Sequence, residues 1–193
     1  MTPETPRILL VGMMGAGKTT TGRRLASHLG WHYHDSDADV EAKTGMTVPE
    51  IFARYGEAAF RKEEHDVLID ACNDPAPSVV SVAGGAVLNA DTRRHIADCG
   101  TVVWLRAKPT TLAARVGEGE GRPLLDDDPG AALVELNEVR APLYAELADI
   151  VIDVDTLPPE EVADRILAAV AVDAPGLTEE AGAEPGAAGP TTD

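Results

Sequence analysis

Gly12-Met13-Met14-Gly15-Ala16-Gly17-Lys18-Thr19-Thr20 follows the apolar run Ile8-Leu9-Leu10-Val11 and precedes a segment of helical pattern. The spacing Gly-x-x-x-x-Gly-Lys-Thr, set between a strand and a helix, is that of a phosphate-binding P-loop. Gly12, Gly15 and Gly17 let the backbone curl so that successive N–H groups point at phosphate oxygens. The helix beginning near Lys18 adds the positive end of its dipole. Lys18 can reach the β- and γ-phosphates, and the Thr19 hydroxyl is placed to hold Mg²⁺. The whole stretch, Ala16 and Thr20 included, predicts a nucleoside triphosphate site.

Outward from that loop, strands and helices alternate. Arg7–Val11 is a first strand, too continuous in apolar residues for a one-sided sheet. Lys18–Leu29 is a helix with Thr21, Arg23 and Arg24 outward and Leu25, Ala26 and Leu29 inward, stopped by Gly30. A short strand over 31–34 runs into Asp35-Ser36-Asp37, and 38–43 has helical pattern. Thr47 and Glu50 form a capping box for a helix that stops at Gly56. A longer amphipathic helix over 57–72 offers Phe60, Val67, Leu68 and Ala71 to the core. Strands follow at 78–82, 101–105 and 150–154. Helices follow at 91–98, Pro109–Val116, 131–140 (disturbed by Pro142) and 158–170. The pattern implies an α/β fold, three layers α-β-α around a parallel sheet of about five strands. Ligands of such sheets bind beyond the carboxyl ends of the strands. The P-loop, Asp35 with Asp37, and Gly84-Gly85 follow strands one, two and three, so all three should meet at one rim.

The chain carries 33 acidic against 16 basic residues, a net charge of −17. Such a surface repels nucleic acid and anionic lipid and makes each cluster of arginine more informative. Cys72 and Cys99 stand without Cys-x-x-Cys or zinc spacing, which fits a cytosolic, reducing compartment. Neither a signal peptide nor a membrane-spanning stretch is apparent, and the expected location is cytoplasmic. His32 and His34 alternate on a strand and share a face; sheet-edge residues are the expected account, ahead of metal ligands. Trp31 and Trp104 read as packing residues. Residues 172–193, rich in Ala, Gly, Pro and Glu, predict a disordered acidic tail after a domain spanning 1–171.

Taken together, the P-loop, Asp35-Ser36-Asp37, Phe60-Arg61, Ala83-Gly84-Gly85-Ala86, Gly121-Arg122-Pro123-Leu124-Leu125 and Arg140-Ala141-Pro142-Leu143-Tyr144 make the chain resemble shikimate kinases, in order and at similar spacing. The resemblance implies a P-loop kinase fold with a substrate-binding helical region near 35–64 and a mobile lid near 117–128. It implies Mg²⁺-dependent transfer of the ATP γ-phosphoryl to the 3-hydroxyl of shikimate, by a monomer. Arg61 and Arg140 match the family's carboxylate-binding arginines, a role for which a planar bidentate donor is suited. Glu64, one turn beyond Arg61, could hold that guanidinium in place. Asp37 matches the aspartate that binds ring hydroxyls and could accept the proton of the attacking oxygen; Asp35 fits a water of the Mg²⁺ shell. Gly84 and Gly85 would offer backbone N–H groups to the substrate. Arg122 matches a lid arginine that closes over the phosphates, and Arg115 a residue that stacks on adenine. Ala83 departs from a run of three glycines usual in the family, a cost if that position needs a positive φ.

Other classes fit less well. A gluconate kinase would share the P-loop but not this combination of motifs. A nucleoside monophosphate kinase needs more arginines for a second phosphate. A non-catalytic nucleotide-binding regulator would have lost Lys18, Asp37 or Arg122, and all three are present.

Overall fold

The computed structural model describes residues 5–117 and 128–173, with 171–173 described by backbone alone. Five strands, β1 (Arg7–Val11), β2 (His32–Asp35), β3 (Ser78–Ser81), β4 (Thr101–Arg106) and β5 (Ile150–Asp153), form one parallel sheet in the order β2-β3-β1-β4-β5. Seven α-helices connect and cover them among the described residues: α1 (Lys18–Leu29), α2 (Ser36–Thr44), α3 (Val48–Cys72), α4 (Ala90–Cys99), α5 (Pro109–Val116), α6 (Pro129–Leu147) and α7 (Pro159–Asp173). A 3₁₀ turn, Ala86–Leu88, follows β3.

β1 lies at the centre of the sheet, and all five of its residues are buried, as the unbroken apolar run requires. Helix α1 packs on β1 and β3 and against α7, whereas α4 packs on β1 and β4 and α6 on β4. Leu9, Leu10, Leu25, Leu105 and Leu112 are sealed from solvent. Each such side chain contributes roughly 1.5–3 kcal/mol of burial free energy. A smaller cluster of Val40, Ile51, Phe60 and Val67 holds α2 against α3. Among the described residues no helix is long and apolar enough to cross a membrane.

Several expectations change on contact with the fold. Thr21, expected to face outward, is buried, because it stands one turn before Leu25 on the stripe that α1 turns to the sheet. The break expected at Gly56 is present as one non-helical residue inside α3, with φ 80° and ψ 172°. Pro142 does not end its helix: α6 continues to Leu147. Pro142 and Glu138 are both exposed, so the carbonyl that the missing N–H leaves unpaired can be hydrated. Arg140 therefore sits within a helix rather than at its C-terminus. Ala83 carries no positive φ, so its departure from glycine has no backbone cost. Cys72 and Cys99, expected above to fit a reducing compartment, are instead joined in a disulfide between the C-terminal ends of α3 and α4, with Cα atoms 5.6 Å apart, so they lend that reading no support. The expected lid, with Arg122, and the expected tail beyond residue 173 lie outside the described residues.

Candidate active site

The P-loop leaves the C-terminal end of β1 and becomes α1 at Lys18. Gly12 needs its missing side chain twice over: its φ is 139°, and a Cβ there would meet the Leu105 carbonyl oxygen at 2.6 Å. Gly15 (φ 80°) is likewise pressed against Val116 and Leu112 of α5. The loop is thereby fixed by its neighbours before any ligand arrives. Lys18 Nζ donates to the carbonyls of Gly12 at 2.9 Å and Met13 at 3.2 Å, so the ammonium lies across the loop's mouth.

At the end of β2, the Asp35 carboxylate accepts from the Thr19 hydroxyl at 2.8 Å and from the Tyr33 hydroxyl at 2.9 Å. Tyr33 in turn lies 3.0 Å from Ser81 Oγ. Burial pushes the Tyr33 phenol up to about 12, so it stays a donor at neutral pH. Between Asp35 and Asp37, the Ser36 hydroxyl donates to Ser81 O at 3.0 Å and accepts from Ala83 N at 2.8 Å. That buried link ties the start of α2 to the segment after β3, and it explains why the helix begins at Ser36 rather than at residue 38. Asp37 thus stands in the first turn of α2, with its side chain open to the cavity. Crowding by the protein behind it raises its pKa; Lys18 and Arg61 pull it back, and Asp35 and Glu41 add to the rise.

The far wall is cationic. Arg61 Nη1 donates to both oxygens of the buried Glu64 at 2.9 Å, and Glu57 accepts from Nε and Nη2 at 3.2 and 3.0 Å. The guanidinium is thus clamped from two turns of α3 while resting 5.2 Å from the Phe60 ring centroid. Gly85 lies directly beneath it: a Cβ there would come within 2.3–2.4 Å of the guanidinium. Arg140 is only 2% exposed, and its Nε has no hydrogen-bond partner among the described residues. Burial lowers its pKa, with Tyr144 partly offsetting this, yet an arginine remains charged. Tyr144 donates to the Gly84 carbonyl at 2.6 Å and packs 5.8 Å from Trp104, which fixes α6 against the turn after β3.

All of this opens on one cavity of about 490 Å³. Of the site residues expected from sequence, Gly15, Gly17, Lys18, Thr19 and Thr20 form one side of it. Asp35, Asp37, Arg61, Gly84, Gly85 and Arg140 form the other. Gly12 and Ala16 are buried behind the loop instead. Arg115, at the cavity's edge, donates to Val154 O at 2.5 Å, and its other Nη lies 3.5 Å from Gly15 O. Tyr33, Ser36 and Tyr144 are the positioning residues that sequence reasoning assigned no role. Only the neighbouring motif residues signalled them, because each acts through contacts at sequence separations of 45 or more.

Glu64 adds a pH dependence. Burial pushes its carboxyl from 4.5 up to about 6, with Arg61 opposing the rise. A raised folded-state pKa favours the protonated form, so the stabilisation is complete below the unfolded value and is lost as pH rises through 6. The whole effect is roughly 2 kcal/mol, of which about 1 kcal/mol falls between pH 5 and 7.5. Urea unfolding of wild type and Glu64→Gln at those two pH values should show wild type losing that much ground to the variant. Equal shifts in the two proteins would contradict the assignment.

A parallel sheet of order 2-3-1-4-5 with a P-loop leaving its central strand defines a P-loop kinase fold. The family model described as Shikimate kinase matches residues 14–171. The chain belongs to the shikimate kinase family. A shikimate kinase of Ruegeria pomeroyi is 46% identical over 165 residues, covering 85% of this chain and 84% of the relative. Among solved structures, a shikimate kinase from Acinetobacter baumannii in complex with shikimate superposes with a TM-score of 0.85 at 38% identity, covering 89% of this chain and 96% of the other. The enzyme from Aquifex aeolicus gives 0.77 at 34% identity, over 88% and 99%.

Proposed function

We propose that this chain transfers the γ-phosphoryl group of ATP to the 3-hydroxyl of shikimate. The observation that carries the reading is Arg140: a buried cation with an unpartnered Nε, facing the same cavity as a P-loop. A buried guanidinium in that condition calls for a carboxylate, and Arg61 supplies a second donor on the same wall. Shikimate carries one carboxylate and three hydroxyls, which suits two arginines at one end and Asp37 at the other.

The P-loop amides from Gly12 to Thr20, with Lys18, bind the triphosphate and stabilise charge developing on the transferred group. Asp37 orients the attacking hydroxyl and accepts its proton; its raised pKa suits that task. Gly84 and Gly85 present the turn after β3 to the ring. Arg122, outside the described residues, is the further cation assigned to charge on the phosphates, and Arg115, at the cavity's edge, is assigned to the adenine. Thr19 and Asp35 are oxygen donors held together at 2.8 Å, a donor pair that suits Mg²⁺. Thr19 would hold the ion directly and Asp35 through water; when bound, Mg²⁺ neutralises charge on the β- and γ-phosphates. The family match over 14–171 supports one kinase domain over 1–171, and dependence on ATP supports a cytoplasmic enzyme, which we take to be a monomer.

ADP release measured side by side with shikimate, gluconate and AMP tests the substrate, with Mg²⁺ omitted in a parallel arm. Rapid, Mg²⁺-dependent release with shikimate alone is expected; a preference for gluconate or AMP would overturn the reading. Gly85→Ala supplies a second check. Its Cβ would displace the Arg61 head rather than backbone, and with it the bonds to Glu57 and the buried Glu64. KM for shikimate should rise about tenfold or more, with a fall in Tm as Glu64 loses its partner. An unchanged KM would mean that Arg61 does not meet the substrate.

A further inference from the structure

We propose that His32, His34 and Asp74 form a binding site for a divalent transition-metal ion of the zinc type on the outer edge of the sheet. β2 is an edge strand, and its alternation puts His32 and His34 on one face. Asp74, in the turn between α3 and β3, brings the third donor. Its Oδ2 lies 2.8 Å from His32 Nδ1 and 3.0 Å from His34 Nε2. Among the described residues this is the one group of three such side chains whose ligand atoms all lie within 4.8 Å of one another. Two imidazoles and a carboxylate are the donor set of a borderline divalent ion, and solvent can supply the remaining position.

Three further features prepare the site. His34 turns its other ring nitrogen, Nδ1, toward Asp39 Oδ2 at 3.6 Å, the carboxylate–histidine arrangement that orients a ligating imidazole and aims Nε2 at the Asp74 side of the site. The Asp74 carboxylate is aimed by its other oxygen, which accepts from Ala76 N at 2.9 Å, while Arg7 holds its backbone carbonyl. The turn itself is stitched to β2, since His32 N donates to Pro77 O at 3.0 Å. Ligand atoms about an ion with bonds near 2.0–2.1 Å stand about 3.3 Å apart. The two histidine–aspartate separations need to open by only a few tenths of an ångström. None of the three residues lines the P-loop cavity, so the site stands independently of the phosphotransfer reading. An ion there would pin the turn before β3 to the edge strand β2, adding to the pairing that already joins β2 and β3.

The test is titration of untagged, full-length protein with Zn²⁺ by calorimetry in excess Mg²⁺, with melting followed in parallel. One ion per chain and a rise in Tm are expected for wild type. His32→Ala alters a side chain that is 63% exposed, so its fold should survive; His34→Ala and Asp74→Asn test the other two ligands. Each should weaken binding by about tenfold or more and abolish the Tm rise. Failure of wild type to bind a stoichiometric ion would overturn the proposal. So would Zn²⁺ that Mg²⁺ displaces, or Zn²⁺ that the His32 and His34 variants bind as wild type does.

Discussion

Lys18→Ala is expected to lower turnover roughly a hundred- to a thousand-fold, the range seen when one preorganised donor to developing negative charge is removed. The ammonium already lies across the P-loop, 2.9 Å from the Gly12 carbonyl, so no rearrangement of the chain is needed to bring it to the phosphates. Its removal also forfeits two hydrogen bonds to loop carbonyls, each contributing about 0.5–1.5 kcal/mol. The loop's path is set independently by Gly12 against Leu105 and by Gly15 against α5. Circular dichroism should therefore report a folded protein, and steady-state kinetics should place the loss in kcat. Turnover within a few-fold of wild type would remove Lys18 from the mechanism.

Arg140→Ala is the second large effect, and it should appear in KM for shikimate. A buried charge-assisted contact to a carboxylate is worth about 2–4 kcal/mol on truncation, which corresponds to a KM increase of about 30- to 700-fold. Arg140 differs from Arg61 in a way that sharpens the test. Arg61 is clamped by Glu57 and Glu64, so its charge is already balanced within α3. Arg140 has no comparable ion pair among the described residues, and burial disfavours its charged form. Truncating it relieves a desolvation cost in the free protein while abolishing a contact in the complex. Tm should hold or rise while affinity collapses. A fall in Tm with unchanged KM would identify Arg140 as a structural residue.

The periodic parts of the fold were legible from the chain itself. β1, α1, the capping box at Thr47 and the break at Gly56 follow from local chemistry, and they stand where that chemistry puts them. The convergence of the P-loop, Asp35 with Asp37, and Gly84-Gly85 followed from strand order, since all three leave carboxyl ends of one parallel sheet. What escaped depends on distant partners. Thr21 looked solvent-facing by polarity alone, yet the stripe of α1 includes it. Ser36 is silent in sequence until Ser81 and Ala83 are beside it. Pro142 broke a helix by propensity, but exposure of the carbonyl one turn back lets α6 continue. Asp74 lies 40 residues from His34, so the pair of histidines gave no hint of a third donor.

The most direct measurement is identification of the product formed by wild-type protein from ATP, Mg²⁺ and shikimate. Phosphorus NMR should reveal a new phosphate monoester on the 3-oxygen of the ring, appearing in step with ADP. ADP accompanied only by inorganic phosphate, or no turnover at all, would contradict the proposal that Asp37 sets a ring hydroxyl against the γ-phosphate while Arg61 and Arg140 hold the carboxylate.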